Sequence, residues 1–160
     1  MDEAQLRAVT IGDLTPHATK IVIEDYNPAW PDWYASDRDR IAAALGPAAL
    51  SIEHAGSTSV ELEEAGYTLR GREPEWYEHR VLQRKAKPHD VNVHVFSPQH
   101  AGEEIARMLT FRDWLRTHED DKTLYATTKR ELSTRDWRYV QDYADAKTQV
   151  VKQILARAQP

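Results

Sequence analysis

The stretch His54-Ala-Gly-Ser-Thr-Ser-Val60 concentrates residues suited to holding phosphate. Gly56 lets backbone N–H groups approach an anion closely, and Ser57 and Thr58 add hydroxyl donors where a strand passes into a helix N-terminus. A second polar set lies in Val91-Asn-Val-His-Val-Phe96, where alternation sends three valines to one face and Asn92, His94 and Phe96 to the other. His94 can serve there as acid, base or hydrogen-bond partner. His79 and Arg80 stand in the neighbouring segment Trp76-Tyr-Glu-His-Arg-Val-Leu82. Two cations complete the set. Arg112 falls on the apolar stripe of Ile105, Met108, Leu109 and Leu115, and Lys147 on that of Val140, Ala144, Val151 and Ile154, beside Tyr143. Desolvating either charge costs several kcal/mol unless it is paired, so each needs a carboxylate or a wet cleft.

Other chemistries fit less well. His54, His79, His89 and His94 with Glu53, Glu78 and Asp90 supply metal-ligand types, but without HExxH or similarly informative spacing. Gly56-Ser57-Thr58-Ser59 is not a G-x-S-x-G elbow, so Ser57 is a poor hydrolytic nucleophile. The absence of cysteine removes thiolate catalysis, disulfides and thiolate metal sites.

These residues must be positioned by a mixed set of elements. Lys20-Ile-Val-Ile23 and Ala49-Leu-Ser-Ile-Glu-His54 read as strands. Pro31 suits the first turn of a helix that runs to Leu45 and ends at Gly46-Pro47. Leu62 to Ala65 reads as helix closed by Gly66, and Tyr67 to Arg70 and Trp76 to Leu82 as strands around a Gly71/Pro74 break. Val91 to Phe96 is the clearest strand. Ala101 to His118, Asp121 to Leu132 and Trp137 to Ala158 read as three helices. This order predicts an α+β (mixed α/β) fold, a small mixed sheet flanked by helices, with residues 1–18 as an N-terminal arm and 19–160 as a single domain. About two in three of the tryptophans are expected to be buried.

The chain has 160 residues and 41% apolar content, enough for one sizeable core. A net charge of −5 disfavours bulk attraction to nucleic acid or an anionic membrane, and small-molecule partners are expected instead. No apolar run is long enough to span a bilayer, and Met1-Asp-Glu-Ala-Gln lacks the order of a signal peptide, so a cytoplasmic location is expected.

Asp25-Tyr-Asn-Pro-Ala-Trp-Pro31, Ile52-Glu-His-Ala-Gly-Ser-Thr-Ser-Val60, Glu78-His-Arg80, Asn92-Val-His-Val95, Phe111-Arg-Asp-Trp-Leu-Arg116 and Tyr143-Ala-Asp-Ala-Lys147 together resemble the GrpB family. The resemblance extends from about residue 8 to the C-terminus and implies a nucleotidyltransferase-like fold. It implies no established reaction. Some members resemble a domain fused behind dephospho-CoA kinase, which points by association to nucleotide or coenzyme chemistry.

One departure from that pattern bears on catalysis. In the family the Gly-Ser turn is followed by a Pro-Gly-Leu loop and a strand with an Asp-x-Asp pattern, whereas here Val60 passes directly into Glu61-Leu-Glu-Glu-Ala-Gly66. Nucleotidyltransferases use such closely spaced carboxylates to hold Mg²⁺, which neutralises charge developing during phosphoryl transfer. No Asp-x-Asp or Asp-x-Glu lies between Val60 and Asp90, so Mg²⁺ is implied only for a chain that carries the missing segment. The expected function is binding of a nucleotide or other phosphate-bearing small molecule by Gly56, Ser57, Thr58, His79, Arg80, Asn92, His94, Arg112 and Lys147. The alternative is a non-catalytic interaction or regulatory module that retains the fold and presents Trp30, Trp33 or Trp76 to a protein partner.

Overall fold

The computed structural model describes residues 2–17, 20–23, 27–48, 52, 65–85, 87, 90–97 and 101–158. The described residues hold a three-stranded antiparallel sheet and six α-helices, a small mixed α+β fold as expected. They divide into two compact units. The sheet unit comprises Arg7–Asp13 and Tyr26–Gly102, and the helical unit Met1–Leu6, Leu14–Asp25 and Glu103–Pro160.

In the sheet unit, α2 (Trp30–Leu45) begins with Pro31 in its first turn and carries Asp32 where the helix dipole favours an acid. Gly46, at φ 51°, ends it and returns its N–H to the Ala42 carbonyl. Asp37, Ile41 and Leu45 recur every four residues and form its buried stripe. Ile41 and Leu45 share a core with Tyr67, Leu82, Val93 and Val95. Asp37 on the same stripe accepts a hydrogen bond from Arg84, and their side chains are only 10% and 18% exposed.

Strands β1 (Thr68–Glu73), β2 (His79–Arg84) and β3 (Val91–Val95) lie in sequence order. Leu69 pairs with Leu82, then a bulge shifts the register so that Gly71 meets Val81 and Glu73 meets His79. Gly71 is needed there, because a Cβ would stand 3.3 Å from the Val9 carbonyl oxygen. That approach lets Thr10 bridge to Gly71 and Ile11 donate to the Arg70 carbonyl at 2.9 Å. Within the segment expected as an arm, Glu3–Val9 form α1, and Leu6 is buried.

The helical unit contains α3 (Gly102–Thr117, all but its first residue), α4 (Glu119–Ser133), α5 (Val140–Ala146) and α6 (Thr148–Ala158). Leu6, Leu132, Tyr139, Tyr143, Val150, Ile154 and Leu155 are its buried apolar residues. Asp121, in the acidic first turn of α4, accepts from Trp114 Nε1 at 2.8 Å and from Arg157 Nε at 3.0 Å. The Arg157 guanidinium, with the Trp114 indole, holds the Asp121 carboxyl below the usual carboxylate range.

Four expectations need correction. Lys20 to Ile23 form no strand, since the apolar run has no partner to pair with among the described residues. The first hairpin strand runs through Gly71 to Glu73, and the second starts at His79 because Pro74 to Glu78 form the turn. The last helix is two helices that break at Lys147, and Val140, placed on its inward stripe, is 54% exposed. All five tryptophans are half-buried, which suits a side chain too large to be enclosed by units of this size. Residues 53–64, which include the Gly-Ser turn and the start of the helix expected from Leu62, lie outside the described residues.

Candidate functional site

Alternation along β2 and β3 sends Arg80, Leu82, Arg84, Val91, Val93 and Val95 to the face that meets α2, and His79, Val81, Gln83, Asn92 and His94 to the other. On that second face an acid and two imidazoles stand in a row. Glu73 Oε2 lies 2.6 Å from His79 Nδ1, and His79 Nε2 lies 2.9 Å from His94 Nδ1. His79 is 3% exposed. Phe96 stacks on its ring at 4.6 Å, and the Trp76 indole meets the ring edge-on at 4.6 Å. Burial, reinforced by His79, pushes the His94 imidazole down to about 4, so His94 is uncharged at neutral pH. His94 Nε2 has no hydrogen-bond partner among the described residues. Beside the row, Gln83 Nε2 donates to Asn92 Oδ1 at 3.0 Å on an exposed part of the face.

The turn that delivers His79 is conformationally costly. Tyr77 and Glu78 have φ of 54° and 53°, a left-handed backbone that side chains rarely adopt, at about 1–3 kcal/mol each. Backbone bonds hold it in place: Glu78 N–H to Pro74, His79 N–H to Trp76, and Ser97 N–H to Tyr77.

In the helical unit, Lys147 caps α5 and rests its Nζ 4.3 Å above the Tyr143 ring. Lys129 on α4 holds its Nζ 5.6 Å from the Tyr125 ring. Burial, with repulsion from Lys129, lowers the Lys147 amine below the ordinary lysine value. No carboxylate pairs with either lysine among the described residues. Tyr143, only 6% exposed, buries its hydroxyl without a hydrogen-bond partner.

The nine residues expected to bind a ligand are therefore dispersed. His79, Asn92 and His94 share one face of the sheet, while Arg80 projects from the opposite face because adjacent strand residues alternate. Arg112 forms a bidentate pair with Asp113 on its own helix, at 2.8 and 2.9 Å. Lys147 belongs to the lysine pair, and Gly56, Ser57 and Thr58 lie outside the described residues. Sequence reasoning missed Glu73, Lys129, Tyr125 and the partnerless hydroxyl of Tyr143. One signal for Glu73 was present: Glu73 and His79 flank the turn symmetrically, and residues at the two ends of a hairpin loop face each other.

Among the described residues no group of three or more histidines and acids converges as a metal-ligand set, and Glu73, His79 and His94 are arranged as a chain. No helix among them is long and apolar enough to cross a membrane.

Comparison with known proteins adds a family and locates a gap. The GrpB protein family model matches residues 20–61 and again 60–157, so the match is interrupted where Val60 meets Glu61. A UPF0157 protein of Halalkalibacterium halodurans is 42% identical over 182 positions, covering 98% of this chain and 91% of its own length. A UPF0157 protein of Streptomyces coelicolor is 36% identical, covering 89% of this chain and 87% of its own length. The first alignment is longer than this chain, so that relative contains internal residues with no counterpart here. No solved structure matches the chain. With both parts of the family model spanning most of its length, the chain belongs to the GrpB family.

Proposed function

We propose that this chain binds a nucleotide or another phosphate-bearing small molecule. One observation carries the reading: Lys147, half-buried over the Tyr143 ring and repelled by Lys129, has no carboxylate partner among the described residues, and Lys129 over the Tyr125 ring has none either. A ring face offsets about 0.5–2 kcal/mol of a cation's desolvation, which leaves a half-buried lysine short of the stabilisation an anion supplies. The partnerless Tyr143 hydroxyl adds a donor suited to the same anion. Gly56, Ser57 and Thr58 remain candidate phosphate contacts by residue type.

Metal-dependent nucleotidyl transfer is not part of the proposal, because no Asp-x-Asp or Asp-x-Glu lies between Val60 and Asp90. The second reading, a non-catalytic interaction module, is favoured by the partial exposure of all five tryptophans.

Thermal unfolding with inorganic phosphate, ATP, GTP, CTP, UTP and dephospho-CoA separates the two. A ligand at a hundred times its Kd stabilises the folded chain by about 2.7 kcal/mol, and Lys147→Met is expected to abolish that gain. An unchanged Tm with every compound rejects binding and leaves the interaction module.

A further inference from the structure

We infer that Glu73, His79 and His94 form a proton relay through which His94 Nε2 acts as a general base toward a hydroxyl group or water at the sheet face. This inference is independent of the lysine pair and involves residues of the sheet unit alone.

The row has one proton position between each pair of groups, and this makes its two states distinct. In the first, His79 Nδ1–H donates to Glu73 and His94 Nδ1–H donates to His79 Nε2, which leaves His94 Nε2 bare. In the second, His79 carries protons on both nitrogens beside the Glu73 carboxylate, and His94 Nδ1 accepts from it while Nε2 bears a proton. The states differ by one proton. To pass from one to the other, an O–H bond breaks at the bound hydroxyl or water and an N–H bond forms at His94 Nε2. The Nδ1 proton of His94 moves to His79 Nε2, and the positive charge comes to rest on His79 next to Glu73. Atoms and charge balance without a further reactant, and the oxygen is left as the stronger nucleophile.

The relay answers a difficulty posed by burial. His94 by itself resists becoming a cation, with its imidazole pushed down to about 4. Moving the charge to His79 lets the row accept a proton while His94 stays neutral throughout. The surroundings favour that transfer. Phe96 and Trp76 hold the His79 ring in one orientation, and register places its Cα opposite that of Glu73. The other residues of β2 and β3 on this face, Val81, Gln83 and Asn92, do not titrate. The costly backbone of Tyr77 and Glu78, immediately before His79, is accounted for if it sets the ring between its two partners. Glu73 and His79 are positioning residues, and only His94 touches the reacting oxygen.

Nitrogen-15 NMR of the full chain, labelled at histidine and followed from pH 8 to 5, tests the relay directly. The expected signature is an exchange of tautomer at His94, from Nδ1–H to Nε2–H without acquisition of charge, as the row takes up a proton. His94 keeping one tautomer across the whole range overturns the inference. In folded Glu73→Gln the tautomer exchange at His94 is expected to move to lower pH by one unit or more, a tenfold loss of proton affinity of the row, and an unmoved exchange overturns the role of Glu73. The wild-type tautomer exchange needs no variant, so the inference remains testable if Glu73→Gln does not fold. For the base role, p-nitrophenyl acetate is the probe. Hydrolysis by wild type should exceed that by His94→Gln at least tenfold, and equal rates refute general-base action.

Discussion

Both units enclose nitrogen bases, and they dispose of the charge in opposite ways. On the sheet, burial holds His94 neutral, with its Nδ1 2.9 Å from His79 Nε2 and His79 Nδ1 2.6 Å from Glu73 Oε2. Among the helices, burial and Lys129 lower the Lys147 amine from the ordinary lysine value, and the Tyr143 ring face is, among the described residues, the one group set to favour its charged form. A buried imidazole can be satisfied by neutral hydrogen bonds, whereas a buried ammonium calls for an anion. The difference separates the face proposed for proton transfer from the cluster proposed for binding phosphate.

The largest expected effect tests whether charge pairing matters where it is complete. Asp37→Ala should cost about 3 kcal/mol in urea unfolding, because it strands Arg84 against the core. A loss below about 1 kcal/mol would show that Arg84 reaches water.

Next comes acid. His94 has a folded value of about 4 against an ordinary 6.5, so the unfolded chain binds more protons between those limits. Stability from this group is complete above pH 6.5 and is lost as pH falls toward 4, by about 3 kcal/mol in total. The stability difference between wild type and His94→Gln should vary with pH across that window. A constant difference would place His94 in water, and the contrast with Lys147 would disappear.

Lys147→Met should lack the large loss expected of Asp37→Ala. Removing one of two repelling cations is expected to leave stability within about 1 kcal/mol or to raise it, measured in anion-free buffer. A loss as large as that of Asp37→Ala would mean that Lys147 has a structural counter-charge. Smallest of all, Lys122→Ala should change stability by less than about 0.5 kcal/mol, since its pair with Glu119 is at the surface.

Much of this organisation was legible in the residues. Alternation in Val91 to Val95 placed Asn92 and His94 opposite the buried valines, and Pro31 and Gly46 marked α2 correctly. Where the reading failed, the deciding interactions were between segments. The break at Lys147 has no Gly or Pro nearby, because Ala144-Asp-Ala-Lys-Thr148 is compatible with continuous helix. Lys129 lies eighteen residues from Lys147 in sequence, and only the packing of α4 with α5 brings the two amines within range. The Glu73 to His79 contact depends on a bulge between Leu69 and Gly71, and a one-residue change in register would send Glu73 to the other face. His79 and Arg80 were read as one group although strand geometry separates neighbours. The interruption of the family at Val60 and Glu61, by contrast, was visible from motif order and coincides with the divided family match.

The central claim, that the lysine pair takes an anion, is tested most directly by calorimetric titration of ATP and of inorganic phosphate into wild type and Lys147→Met at low salt. The account predicts saturable binding to wild type that weakens as salt is added, with at least a tenfold loss in the variant. Equal binding by both proteins, or no binding of either compound to wild type, would contradict it.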